Sequence, residues 1–132
     1  VLSVMAKGEL LVFQQKISEA RKEFIELVNM SNVPAALKSE AYLMISRLSL
    51  ALDEITTGLE YSQRAVSDSS ISVYADEHLY LMGVIVENYL MQPDRAFDIY
   101  RSLLENYPNS LLADNVRDRM RKINESKESE LP

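Results

Sequence analysis

Tyr42-Leu43-Met44 returns as Tyr80-Leu81-Met82, 38 positions on and without a gap, and the same step links Ala20 to Gly58 and Gly58 to Ala96. A fixed period between 20 and 50 residues marks stacked supersecondary units, because one unit cannot bury its own apolar face and leans on the next. At this period the chain of 132 residues divides into three rows, 1–38, 39–76 and 77–114, with a remainder. Apolar residues recur within the rows at three- and four-residue steps, as in Ile17, Ala20, Phe24, Leu27 and Val28, or Ala96, Ile99, Tyr100, Leu103 and Leu104. No row carries sustained period-two alternation. The expected fold class is therefore all-α, each row an antiparallel helix hairpin.

Proline is tolerated in a first helical turn but not in an interior, so Pro34, Pro93 and Pro108 mark helix entrances or loops. Asp53, Asp94 and Ser110 are candidate caps or first-turn residues, able to accept from backbone amides that lack an intrahelical partner. Seven helices are expected, over 2–15, 17–30, 34–51, 54–68, 72–91, 94–106 and 110–124. The repeat domain would then occupy 1–124, closed by a capping helix over 110–124. The stretch 125–132 has few apolar residues and is expected to fray.

The small residues have a packing rationale. Two antiparallel helices that approach closely need a small residue on each, and Ala20, Gly58 and Ala96 hold one place on every second helix. Gly8, Ser46 and Gly83 supply the counterpart on the first helices. Glycine inside a helix costs about 1 kcal/mol relative to alanine, which close interhelical approach can offset. Four residues after each small position stand Phe24, Ser62 and Tyr100, and three further on Leu27, Ala65 and Leu103.

On these residues the chain resembles the tetratricopeptide repeat family. That template has a small residue in its first helix, alanine in its second, an aromatic four later, a small or aliphatic residue after three more, and a closing proline. It is met by Gly8, Ala20, Phe24 and Leu27, by Tyr42, Ser46, Gly58 and Ala65, and by Gly83, Ala96, Tyr100, Leu103 and Pro108. The strongest stretch, Ala96 to Ser110 followed by Ala113, is similar to repeats of bacterial envelope members such as outer-membrane assembly lipoproteins. The period exceeds the family's usual 34, no tryptophan opens a repeat, and Ser62 replaces the aromatic. The resemblance implies a right-handed α-solenoid of three repeats plus a capping helix, and a periplasmic or envelope setting, with the cytoplasm as the alternative. It also implies a concave groove lined by first helices, which would hold Met5, Glu9, Val12 and Phe13, then Leu43, Met44, Arg47 and Leu50, then His78, Met82, Ile85 and Tyr89. The basic and asparagine set that some members use to clamp a carboxyl terminus has no counterpart, Arg47, His78 and Asn88 being too few and too scattered.

Composition narrows the chemistry. An apolar share of 47% and a charged share of 26% are those of an ordinary globular chain, long enough for a core without staples. The net charge of −6 argues against a nucleic-acid partner, which needs a basic stripe. The one dense basic run, Arg117 to Lys122, is broken by Asp118 and reads as the solvated face of the last helix. No cysteine is present, which removes disulfides, thiolate nucleophiles and cysteine-ligated metals. No apolar run is long enough to span a bilayer. Val1 to Ala6 lack the basic start and cleavage site of a secretory signal and lack a helix cap, which suggests a domain of a longer protein.

His78 is the only histidine, and its sequence neighbours Asp76 and Glu77 point around a helix instead of converging on it. It reads as structural or groove-lining, with no metal, no cofactor and no catalytic set implied. Met5, Met44 and Met82 suit core gaps and adaptable surfaces alike, core filling being the default. Glycine-rich phosphate loops and nucleophile elbows are absent. The expected function is a scaffold that binds a peptide or helix of another protein in an apolar groove. The alternative is an interface with a second copy or with another domain of a larger protein.

Overall fold

At steps of 38 residues along the chain, three helix hairpins close on a left-handed residue. The computed structural model describes residues 1–130. Its α-helices are α1 (Leu2–Phe13), α2 (Ile17–Val28), α3 (Ala35–Ala51), α4 (Ile55–Ser67), α5 (Ala75–Val84), α6 (Pro93–Asn106) and α7 (Ala113–Ser129). A 3-10 segment, Ser69–Tyr74, precedes α5, and a π-helical turn, Ile85–Tyr89, follows it. No strand occurs among the described residues.

The domain expected over 1–124 divides into two compact units, Val1–Ala75 and the residues from Asp76 onward. The boundary falls one residue before the third sequence row begins. In the first unit α1 packs on α2, α2 on α3 and α3 on α4, and the 3-10 segment folds back on α3 and α4. Its core joins Met5, Ala20, Phe24, Leu27, Ala41, Ile45, Leu48, Ala65 and Ile71. In the second unit α6 packs on the π turn and on α7, around Tyr100, Leu103, Val86, Val116 and Ile123, all buried.

Four residues are left-handed, Gln15, Asn32, Asp53 and Met91; Asn32 lies in the α2–α3 connection with φ of 58°, while Gln15, Asp53 and Met91, with φ of 60°, 60° and 54°, lie within the hairpins and keep the 38-residue step. In the first hairpin the amide of Gln15 donates to the Val12 carbonyl at 2.9 Å and that of Lys16 to Leu11 at 2.9 Å. The second repeats this with Asp53 to Leu50 at 3.0 Å and Glu54 to Ser49 at 2.9 Å. This is the Schellman closure, which satisfies carbonyls that a helix end leaves without partners. Asp53, expected as a cap, serves as this pivot. In the third hairpin Gln92 reaches one residue further back, to Val86 at 3.0 Å. One residue more lies between Gly83 and Met91 than between Gly8 and Gln15 or Ser46 and Asp53. A π turn is an α-helix holding one extra residue, so Ile85–Tyr89 absorbs the difference and leaves the hairpin intact.

The small positions pack as the repeat implies. A Cβ on Gly8 would lie 2.7 Å from Phe24 Cζ, and one on Gly83 would overlap the Tyr100 ring outright. In the middle hairpin the equivalent pair is Ser46 and Ser62, whose hydroxyls lie 3.1 Å apart and fully buried. The missing aromatic at Ser62 is thus matched by the missing glycine at Ser46. The large-on-empty contact of the outer hairpins becomes a hydrogen bond between two small residues.

Several boundaries differ from those the sequence predicts. The helix expected over 72–91 is composite: 3-10, α and π segments in turn. The last helix begins at Ala113 instead of residue 110, because Ser110 caps the preceding turn, its hydroxyl accepting from the Leu112 amide at 3.1 Å and donating to Asp76 Oδ2 at 2.5 Å. It then runs on to Ser129, so the stretch expected to fray from 125 is helical as far as Ser129, and Leu131 and Pro132 lie outside the described residues. Charge pairs carry it past its apolar residues: Lys122 meets Asp118 at 3.1 Å, and Arg121 bonds Asp118 and lies 3.8 Å from Glu125. Such pairs stabilise a helix without a core.

Candidate interaction surface

Of the residues expected to line a groove, three are interior. Met5 is 5% exposed, and His78 and Ile85 are fully buried. Met5 shares with Gly8, one turn on, the face of α1 that meets α2, and it belongs to the core with Ala20 and Phe24. His78 and Ile85 stand two helical turns apart, on the inward face of α5 and its π extension. The family template places these positions outward, whereas the phase of the buried residues in this chain turns them in.

The others remain accessible. In the first unit Glu9, Phe13 and Arg47 are exposed, and Val12, Leu43, Met44 and Leu50 are half-buried. Leu43, Arg47 and Leu50 share one face of α3 by their four- and three-residue spacing. In the second unit Tyr89 is exposed and Met82 half-buried.

A surface beyond the template is more prominent. Leu2, Ala6, Leu10 and Phe13 are all exposed and fall on one stripe of α1 at helical spacing. Phe13 is 85% exposed, Leu2 72% and Leu10 54%. The opposite face of the same helix is buried through Met5 and Gly8, so α1 is apolar on both sides. A helix that is apolar all round is normally covered all round. Single exposed apolar residues are ordinary in proteins, but a contiguous stripe marks a contact surface. Lys7 beside the stripe is engaged with Glu23 at 2.9 Å, and the bond to that carboxylate raises its pKa. The signal was present in the sequence as the mostly apolar run from Val1 to Phe13, whose period fits two faces instead of one.

The densest polar cluster lies in the second unit. Arg119, expected on a solvated face, turns inward with Val116 and Ile123, each within one helical turn or so of it. Its Nε and Nη2 donate to Glu87 Oε1 at 3.0 Å and Oε2 at 2.6 Å, a two-point fork. The Tyr100 hydroxyl donates to Glu87 Oε1 at 2.8 Å. Burial and the carboxylate it bonds push the Tyr100 hydroxyl well above its ordinary pKa, so it stays a donor. The bond to Glu87 likewise holds the Arg119 guanidinium charged. In the first unit Asp68 plays a comparable part. It accepts from Lys38 Nζ at 3.0 Å, from the Ser70 hydroxyl at 2.6 Å, and from Tyr42 at 3.3 Å.

Among the described residues no group of His, Asp and Glu side chains could hold a metal ion. No helix among them is long and apolar enough to cross a membrane. No family model matches the chain, and no curated protein matches it in sequence.

Proposed function

We propose that the chain is a tetratricopeptide-like interaction module that binds a helix or extended segment of another protein. The observation that carries this reading is the uncovered stripe Leu2, Ala6, Leu10 and Phe13 on α1. An apolar helix face of this length takes an amphipathic partner through side chains at three- and four-residue spacing. Glu9 and Arg47, both exposed, are candidate polar selectors beside Phe13, Leu43 and Met44. Recurrence of the left-handed pivots Gln15, Asp53 and Met91 supports the repeat reading, as do the glycine–aromatic contacts of the outer hairpins. We further infer a binding role instead of an enzymatic one. The strongest polar cluster, Glu87 with Tyr100 and Arg119, satisfies its own members, and Tyr100 has no accessible surface.

The test compares wild type with Phe13→Glu, a substitution at a position too exposed to disturb the core. Both are used as bait on extract from the source cell, with molar mass of each followed by light scattering. The reading expects a defined set of proteins on wild type that is lost with Phe13→Glu, circular dichroism unchanged. Identical retention by both sinks it. A second reading, pairing of two copies through α1, is favoured by one feature: Lys7 is neutralised by Glu23, so two stripes can meet without like-charge repulsion. It requires a dimer that Phe13→Glu converts to a species of 15.1 kDa.

A further inference from the structure

In the second unit the π turn, α6 and α7 meet at a site built for one particular side chain. Glu87 sits on the π turn with a side chain only 13% exposed, and both of its oxygens are used by Arg119. Tyr100, fully buried, fixes the carboxylate from below, and Asn88 Oδ1 accepts from the same guanidinium at 3.3 Å. A largely buried carboxylate demands a cation, and a carboxylate held at two points matches the planar fork of arginine and not the single point of lysine. On either side of the fork α7 inserts Val116 and Ile123, both buried.

We propose that this face of the second unit is a receptor for amphipathic helices that carry an arginine with an apolar β-branched residue three positions before it and another four positions after. In this structure α7 occupies the receptor in cis. Two observations make α7 a displaceable occupant. First, of its residues only Ala113, Val116 and Ile123 are buried, so its hold is narrow. Second, several of its other charges pair within the helix, Arg117 with Asp114 at 3.1 Å and Lys122 with Asp118 at 3.1 Å. Those pairs survive release, so α7 can leave as a helix instead of unfolding. A further tether is Lys127 to Asp94, both exposed and open to screening by salt. A partner helix with the same three residues competes for Glu87 on equal chemical terms, and its advantage or handicap is set by the local concentration of the tethered α7. This surface shares no residue with the α1 stripe, and either can fail without the other.

The test uses the full chain with Val116→Ala, Arg119→Ala and Ile123→Ala combined, which empties the receptor while leaving α7 attached. A fluorescent peptide of residues 113–129 is titrated into it and followed by anisotropy. Saturable binding is expected, weakened about tenfold or more when the peptide carries Arg119→Lys, since the fork is lost. A folded variant that does not bind the peptide at up to about 1 mM overturns the proposal, and so does equal binding of the lysine peptide. If the triple variant loses its circular dichroism, hydrogen exchange of wild type decides. Amides within 116–126 exchanging about tenfold faster than those of α6 support release of α7, and equal protection of the two helices overturns it.

Discussion

At Gly83 the helix of the third hairpin has no room for a methyl group, because the Tyr100 ring lies where its Cβ would stand. Tyr100 cannot retreat, being fully buried with its hydroxyl bound to Glu87. Gly83→Ala is therefore expected to destabilise by about 2 kcal/mol or more, overpacking outweighing the gain in helix propensity. Gly58 differs: its Cβ would meet the Leu50 side chain and the Ser46 carbonyl at 3.2 Å, contacts that a few tenths of an ångström relieve. Gly58→Ala should stay within about 1 kcal/mol of wild type, the two variants being compared by urea denaturation. The sequence pointed to both glycines as sites of close approach. What it withheld was the ranking, which depends on whether the opposing atom is a locked ring or a movable leucine.

The elements were legible where proline or a sharp change of apolar phase marks a boundary, as at Pro34 and Pro93. The left-handed pivots were not, since Gln15, Asp53 and Met91 are none of them the glycine that usually announces such a position. A left-handed non-glycine residue costs roughly 1–2 kcal/mol, part of which glycine would recover. Met91→Gly is expected to raise stability by about 0.5 kcal/mol, read as a higher midpoint in urea, because the side chain removed is largely exposed. The end of α7 is hidden in the sequence for a related reason: apolar periodicity stops near Ile123, while pairs such as Lys122 with Asp118 carry the helix onward. Arg119 lies in a basic run that reads as solvated, and only the packed phase of α7 reveals that it shares a side with Val116 and Ile123.

Between α4 and α5 the chain is held by Asp68. Burial opposes its ionisation, but hydrogen bonds from Ser70 and Lys38 more than offset this and bring its pKa from 3.8 down to about 2. The folded carboxyl therefore stays charged where the unfolded one begins to protonate. Its stabilisation is present in full above about pH 4 and is lost as the pH falls toward 2, on the order of 1 kcal/mol after allowance for solvent screening. Asp68→Asn should flatten that limb of the stability curve, measured by thermal melts between pH 5 and pH 2.

At the scale of the molecule, the contacts gather into two units, each with buried residues of its own. Local opening follows such units. Gly83→Ala is thus expected to accelerate amide exchange about tenfold or more among residues after Asp76 while leaving α2 and α3 near their wild-type rates. Acceleration spread evenly over all helices would show that the units open together. The all-helical architecture was readable from the three- and four-residue apolar steps, such as Ile17, Ala20, Phe24 and Leu27, and its 38-residue step from Ala20, Gly58 and Ala96. The surface was not, because a borrowed groove assigned Met5, His78 and Ile85 outward, and only burial corrects that.

The serine pair of the middle hairpin has a consequence for how the chain finds its pairing. Chains of similar repeats are prone to join the wrong neighbours while folding. Here a mismatch that involves the middle hairpin meets a penalty. Ser46 set against Phe24 or Tyr100 puts side-chain atoms where a ring must go, and Ser62 set against Gly8 or Gly83 leaves a hole and a hydroxyl without its mate. Gly8 and Gly83 each face an aromatic ring, and Ser46 instead meets Ser62. The substitution that makes the second repeat look degenerate acts as an address, telling the middle hairpin from those on either side of it.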